Sequence, residues 1–327
     1  MKNKFTTILF ILLALMVSGL LFNDNVWFDE TYTLALIRHD YGEMITILKS
    51  DMHPPLYFAG LKWLSSILGY DILVTKVFSL LGFVMLLLLG CLIIKKDYGN
   101  KTAVFYLLVT SATPMSFYFA VQQRCYSWSM FFVTWCFLEG MRLLRFKRWR
   151  NSFLFAITAL CAAYNHIYAH IAVAGIVICI NAIILFEHRD EWQKIFAADV
   201  LMVLGYSGWL IPLFRQTRQA SQNFWLTSLE LDSLIVLTGT IPVFILMLCK
   251  WKNLLKHQKY LVGSGIFSIL FVHIVGFGIS IILRPLYIAR YASPLLGVFA
   301  MVTAIFLSQH YKKGRIMEPP QSFVLPI

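Results

Sequence analysis

Charge is scarce in this chain. Only 13% of its 327 residues are Asp, Glu, Lys or Arg, against 59% apolar residues and a mean hydropathy of +0.72. That balance excludes both an ordinary globular protein and a disordered one, and it points to a polytopic membrane protein. Paired cysteine motifs are lacking as well. The six cysteines stand at 91, 125, 136, 161, 179 and 249, mostly inside or beside apolar runs, and no CxxC occurs, so neither a disulfide framework nor a zinc site is indicated. There is no internal repeat and no low-complexity segment. No small-x-small cleavage site stands out in the opening "MKNKFTTILFILLALMVSGLLF", which therefore reads as an uncleaved first helix. The net charge of +12 does not signal nucleic acid, because the basic residues fall in short clusters between apolar runs, where they set orientation in a bilayer.

What the chain has in abundance is hydrophobic length. Crossing about 30 Å of hydrocarbon takes roughly 17 to 25 helical residues. Ten stretches qualify, near 5–22, 73–94, 102–120, 127–144, 152–167, 168–186, 195–214, 233–249, 260–283 and 292–309. The expected fold is all-α: a polytopic integral membrane protein with about 10 transmembrane helices in one domain over 1–310, followed by a short cytoplasmic tail at 311–327.

The segment "PLYFAGLKWLSSILG" at 55–69 is an eleventh candidate, and charge decides its status. If it lies in the membrane plane, most of the 28 lysines and arginines fall on one side, among them "RLLRFKRWR" at 142–150, "KWKNLLKHQK" at 250–259 and "KKGR" at 312–315. If it spans, nearly all of those move outside, against the positive-inside tendency. Lys62, Ser65, Ser66 and Gly69 also form a polar stripe at helical spacing, opposite Leu61, Trp63, Leu64 and Leu68. Residues 23–72 thus read as an extracytoplasmic loop with juxtamembrane helices, further short ones being expected at 30–38 and 43–49.

On this topology the outward polar residues form a short set: Asp29, Glu30, Asp51, His53, Arg124, Tyr126, Tyr164, His166, His170, Arg215, Arg218, Arg284 and Arg290. Carboxylates and arginines converging from several loops supply the chemistry for holding a phosphate and activating a hydroxyl. Each residue also has a plainer role available. Asp29 and Glu30 suit the positive end of a helix dipole, His53-Pro54-Pro55 suits a helix start, Arg124 and the other arginines can snorkel to headgroups, and His166 suits a satisfied interfacial histidine. His273, alone in an apolar run, reads as a packed or hydrogen-bonded residue. Asp29, Glu30 and His53 leave a divalent metal conceivable, but no ligand spacing argues for one and no cofactor is certain.

The motifs "WFDE" after the first span, "HPPLYF" in the same loop, "RCY" before the fourth span and "RYASP" before the last resemble the GT-C fold membrane glycosyltransferases of the protein O-mannosyltransferase and aminoarabinose-transferase type. The resemblance covers residues 1 to about 310. It implies transfer of a sugar from a polyprenyl-phosphate-linked donor to a lipid, glycan or protein acceptor, at the outer face of a bacterial cytoplasmic membrane, with inversion. It also implies that Asp29 is the catalytic acidic residue and Glu30 its partner. His53, Arg124, Tyr126, His166, Arg284 and Arg290 would then serve the donor phosphate or substrate. Unlike the larger members of that family, no soluble domain follows the last span, which leaves the acceptor open. A transporter or lipid flippase and a polysaccharide polymerase are the competing readings. Of these, a transporter would place more ionisable groups within the spans, where Glu139, Asp199 and His273 are the few present.

Overall fold

The computed structural model describes residues 2–23, 25–223, 232, 240–241, 243–245, 248–249, 251–282 and 285–310. Among them every regular element is helical. Helix α1 (Lys2–Ser18) runs through a 3-10 turn, Gly19–Phe22, into the first long loop. That loop folds as three short helices, α2 (Phe28–Leu36), α3 (Tyr41–Ser50) and α4 (Leu56–Leu68). Helix α5 (Ile72–Leu89) continues through a π-helical turn, Gly90–Ile94, into α6 (Lys95–Tyr98). There follow α7 (Asn100–Ala112), α8 (Pro114–Phe119), α9 (Tyr126–Phe146), α10 (Trp149–Asn165), α11 (Ile167–Glu187), α12 (Trp192–Tyr206) and α13 (Leu210–Asn223). Helices α14 (Lys256–Ile282) and α15 (Leu296–His310) complete the described chain, with a 3-10 segment, Ala289–Leu295, between them.

Six helical stretches of the described chain are long and apolar enough to cross a membrane: Lys4–Phe22, Ile72–Tyr98, Ile167–Glu187, Arg189–Gln219, Lys256–Ile282 and Ala289–Gln309. The expected span at 233–249 falls largely outside the described residues, and the tail at 311–327 lies wholly outside them. The expected span at 102–120 is divided at Thr113, where Pro114 starts a new helix. Helices α9 and α10 have the length or nearly so but carry more polar residues than a lipid-facing helix. The reason is position. Helix α9 packs against α5, α10, α11, α14 and α15, so protein surrounds it, and its Ser127, Ser129, Thr134 and Glu139 are all buried. Inside a bundle, neighbours supply the hydrogen bonds that lipid cannot. Glu139 accepts from Arg142 Nη1 at 3.0 Å and from Asn151 Nδ2 at 2.6 Å, while Arg142 Nε reaches Asp97 at 2.7 Å, tying α9 to α6 and α10.

Close helix approach depends on small residues. At Gly297 on α15 an added Cβ would lie 2.1 Å from Thr134 Oγ1 and 2.8 Å from Leu86. Overpacking of this kind costs about 1 to 3 kcal/mol. Gly297→Ala should therefore lower the melting temperature of the detergent-solubilised protein, and Thr134→Ala should restore part of the loss in the double variant. An unchanged melting temperature would show that α15 and α9 do not meet at this position.

Helix α4 has 13 residues, about 20 Å, too short to span, in keeping with the in-plane expectation. Its orientation differs from the one expected for an amphipathic surface helix. Lys62 and Ser65 are buried, whereas Trp63, Ile67 and Leu68 are exposed. Lys62 turns inward because Nζ donates to the Ile37 carbonyl at 3.1 Å, beyond the end of α2, and lies 5.2 Å from the Tyr41 ring centre. A cation there complements the negative end of α2, and the apolar face is left for lipid. Leu36, Ile37, Met44, Leu48, Tyr57 and Phe58 form a local core that docks on Cys125, Ala163 and Trp209, so the first loop is a packed lid on the bundle.

Candidate active site

Helix α2 begins beneath Trp27, and Asp29 and Glu30 occupy its first turn. Their side chains part company there. Glu30 is buried, with Oε2 accepting the Trp27 N–H at 2.7 Å and Oε1 accepting the Gln123 N–H at 2.8 Å. It caps its own helix and clamps the turn before α9 to the first loop. Asp29 points instead into open space, its side chain 25% exposed, with Oδ2 accepting from Arg290 Nη1 at 3.1 Å.

The Glu30 clamp sets Arg124 over α2. Arg124 is 5% exposed, and its Nη1 donates to the Asp29 carbonyl at 3.1 Å and to Thr33 Oγ1 at 3.2 Å. Its Nη2 lies 2.6 Å from His53 Nε2. A guanidinium has no acceptor, so Nε2 must accept, and the His53 proton sits on Nδ1, which donates to Asp51 Oδ2 at 2.6 Å. The Tyr32 hydroxyl donates to the same oxygen at 2.6 Å. Burial first, and then Arg124, lower the His53 pKa and favour the neutral ring, against the opposing pull of Asp51. Asp51 is pushed the other way. Burial alone would raise its pKa, but the hydrogen bonds it accepts, foremost those from His53 and Tyr32, hold it well below the ordinary carboxylate range. A chain Tyr32–Asp51–His53–Arg124 thereby fixes one guanidinium beside Asp29.

The other guanidinium arrives from the far end of the sequence. Arg290, in the Ala289–Leu295 segment, lies 5.1 Å from the Trp27 ring centre and 5.8 Å from that of Tyr291. These are cation–π distances that hold its plane while Nη1 reaches Asp29. Asp29 is thus bracketed by arginines, one at its carbonyl and one at its carboxylate.

His166 sits in the break between α10 and α11, which Asn165 pins by donating Nδ2 to the Cys125 carbonyl at 2.8 Å and to Ser129 at 2.7 Å. The histidine is 7% exposed and its Nδ1 has no hydrogen-bond partner among the described residues. Rings of Tyr126, Tyr168 and Tyr291 surround it at 5.8, 6.1 and 5.7 Å, and Tyr168 stacks on Tyr291 at 4.4 Å. Burial, and then His53, Arg124 and Arg290, push its pKa down to about 3. An unfolded chain takes up a proton on this histidine below about pH 6.5, whereas the native ring resists until about 3. The contribution of His166 is thus complete above pH 6.5 and declines as the pH falls toward 3. Melting temperatures measured between pH 7 and 4 should drop less steeply for His166→Gln than for the native protein. Parallel curves would mean that the folded protein takes up the His166 proton as readily as the unfolded chain does.

A cavity of about 580 Å³ joins these groups, lined by Asp29, His53, Arg124, Tyr126, His166 and Arg290 among others. On the other side of Asp29 and Arg290 lies an open, mainly apolar groove of about 860 Å³, whose wall includes Trp27, Pro114, Met115 and Tyr118. The Asp29–Arg290 pair stands between the two. Of the site residues expected from sequence, the structure brings together Asp29, Glu30, His53, Arg124, Tyr126, His166 and Arg290; Arg284 lies outside the described residues. Asp51, which the sequence places among the candidate polar residues without a role of its own, belongs to the same site, as do Tyr32 and Tyr291. The Asp51-x-His53 spacing is the one sequence signal that could have pointed to Asp51. His273 is buried and hydrogen-bonded to the Tyr287 hydroxyl at 2.9 Å, the packed role expected for it.

Among the described residues no group of three or more His, Cys, Asp or Glu side chains is arranged to hold a metal ion. The trio Asp29, Glu30 and His53 does not fit one, because both Glu30 oxygens accept backbone N–H groups and both His53 nitrogens are engaged. Comparison of the chain with protein-family models, with curated proteins and with solved structures finds no match.

Proposed function

We propose that this chain is an integral membrane glycosyltransferase that moves a sugar from a polyprenyl-phosphate donor to a hydroxyl acceptor. The observation that carries the reading is Asp29, bracketed by Arg124 and Arg290 where a cavity that gathers the ionisable groups meets an apolar groove. A lipid-linked sugar phosphate needs those parts together: an apolar channel for the chain, cations for the phosphate and a carboxylate for the acceptor proton.

In the reaction, donor phosphate competes with Asp29 for Arg290 and draws the guanidinium away, which frees the carboxylate. The acceptor oxygen attacks the anomeric carbon and its proton passes to Asp29. The bond from that carbon to the phosphate oxygen breaks, and the electron pair leaves with the polyprenyl phosphate, stabilised by Arg124 and Arg290. One displacement inverts the anomeric configuration. Glu30, His53 and Asp51 position the reacting groups, and the rings of Tyr126, Tyr168 and Tyr291 supply faces for a sugar.

The decisive experiment incubates the purified protein in proteoliposomes with radiolabelled polyprenyl-phosphate sugars and follows release of free polyprenyl phosphate. It is paired with mass spectrometry of envelope lipids and glycans from cells with and without the protein. Sugar transfer supports the reading. Flux of an intact lipid-linked sugar across the bilayer without turnover would replace it with a transporter or flippase.

We place the site at the extracytoplasmic face of a bacterial cytoplasmic membrane, in a bundle of about ten spans that includes α7, α9 and α10. Single cysteines at the exposed positions Lys49 and Arg148 test this. The first should react with an impermeant maleimide in intact cells and the second only after permeabilisation. Labelling at Arg148 in intact cells would reverse the orientation.

A further inference from the structure

We propose that the end of the bundle opposite the cavity holds a second site, which binds the phosphate of an anionic membrane lipid. A hollow of about 250 Å³ opens there among Tyr98, Arg145, His188, Lys256, His257 and Tyr260, over an aliphatic floor of Met141 and Leu144. Its lining carries Arg145, Lys256 and two histidines, and none of it is acidic.

The two carboxylates nearby stay out of the lining: one is engaged by Arg142, and the other anchors the hollow's own Lys256 and Tyr260. Asp97 Oδ2 accepts from Arg142 at 2.7 Å, and Glu187 takes Lys256 Nζ at 2.9 Å together with the Tyr260 hydroxyl. Arg145 gives one N–H to the Asp97 carbonyl at 2.7 Å. A guanidinium carries five N–H donors and an ammonium three, so Arg145 and Lys256 both keep donors for a ligand. Lys256 also lies 5.4 Å from the Tyr260 ring centre, which holds its head at the rim of the hollow.

Helix geometry fixes the level of the hollow. Helix α9 starts two residues after Arg124 and has 21 residues, about 31 Å, so Arg145 in its last turn lies one hydrocarbon thickness from the cavity. Helix α11 runs the same way from His166 to His188, and α14 returns from Lys256. Exposed Trp149 and Trp192 mark this end of the bundle, and tryptophan concentrates where chain meets headgroup. A basic pocket between helices at headgroup depth, with an apolar floor beneath it, suits a phosphodiester whose acyl chains continue into the bilayer. A soluble anion would leave that floor unused.

The test uses the full chain, purified in mild detergent and mixed with equal amounts of phosphatidylglycerol and phosphatidylcholine, with bound lipid read by native mass spectrometry. The native protein should retain phosphatidylglycerol in preference. An R145Q/K256Q double variant should lose that preference by roughly tenfold or more, the scale of a lost charge-assisted hydrogen bond. An R145K/K256R variant, which keeps the charges, should hold most of it and guards against misfolding as the cause. Equal retention of the two lipids by the native protein, or an unaltered preference in R145Q/K256Q, would overturn the proposal. Displacement of the lipid by inorganic phosphate alone would also overturn it, by making free phosphate the ligand of the same basic cluster.

Discussion

Asp29→Asn is expected to transfer sugar about a hundredfold more slowly than the native protein, or slower still, the range general-base catalysis usually supplies. The amide keeps the shape of the side chain and an oxygen that can accept from Arg290, so the surrounding geometry persists. It cannot take the acceptor proton. The loss should therefore fall on the maximal rate, with donor saturation little altered, and melting temperature and membrane insertion should match the native protein. Glu30→Gln separates the two neighbouring carboxylates. Its oxygens serve backbone N–H groups, so the change should lower stability and impair the rate less than Asp29→Asn does. Near-native transfer by Asp29→Asn would return that carboxylate to a role as an arginine anchor.

Arg124→Ala is expected to weaken donor use by roughly ten- to a hundredfold, since a hydrogen bond to a charged group contributes about 1.5 to 3 kcal/mol. Truncation also strips His53 Nε2, the Asp29 carbonyl and Thr33 of their shared donor inside a buried region. The loss should for that reason exceed the loss in Arg290→Ala, where the guanidinium is less enclosed. Arg124→Lys should recover only part of the function, because a single ammonium cannot reach Thr33 and His53 with the geometry of the guanidinium fork. Donor saturation measured at fixed acceptor decides the matter. Native saturation in both alanine variants would remove the arginines from the phosphate.

The polar residues that gather at this end of the bundle were legible in the sequence because hydropathy marks where a helix ends, and loop residues at one end of a bundle are bound to gather there. That gathering is what brings Asp29, Arg124, His166 and Arg290 around one cavity. The division of labour between Asp29 and Glu30 was not legible. It depends on which backbone N–H groups face each carboxylate, and one of those, from Gln123, comes from a distant turn. Asp51 escaped a role for a similar reason, since its value lies in fixing a tautomer on His53. Lys62 shows the converse failure. A polar stripe on a short helix reads as the wet face, yet here the lysine meets the end of another helix and the apolar face is turned outward.

The order in which the chain is made gives the Asp29–Arg290 pair a further meaning. Arg124 follows Asp29 out of the ribosome by 95 positions, and Arg290 by 261. A nascent protein can thus fold its first loop and seat Arg124 while the last partner of Asp29 is still unsynthesised. Closing so long a loop adds little entropic cost, since that cost grows only with the logarithm of length. The delay is one of timing: chains not yet extended to Arg290 carry a carboxylate without its second arginine, and the site becomes whole only when the segment before α15 has been made.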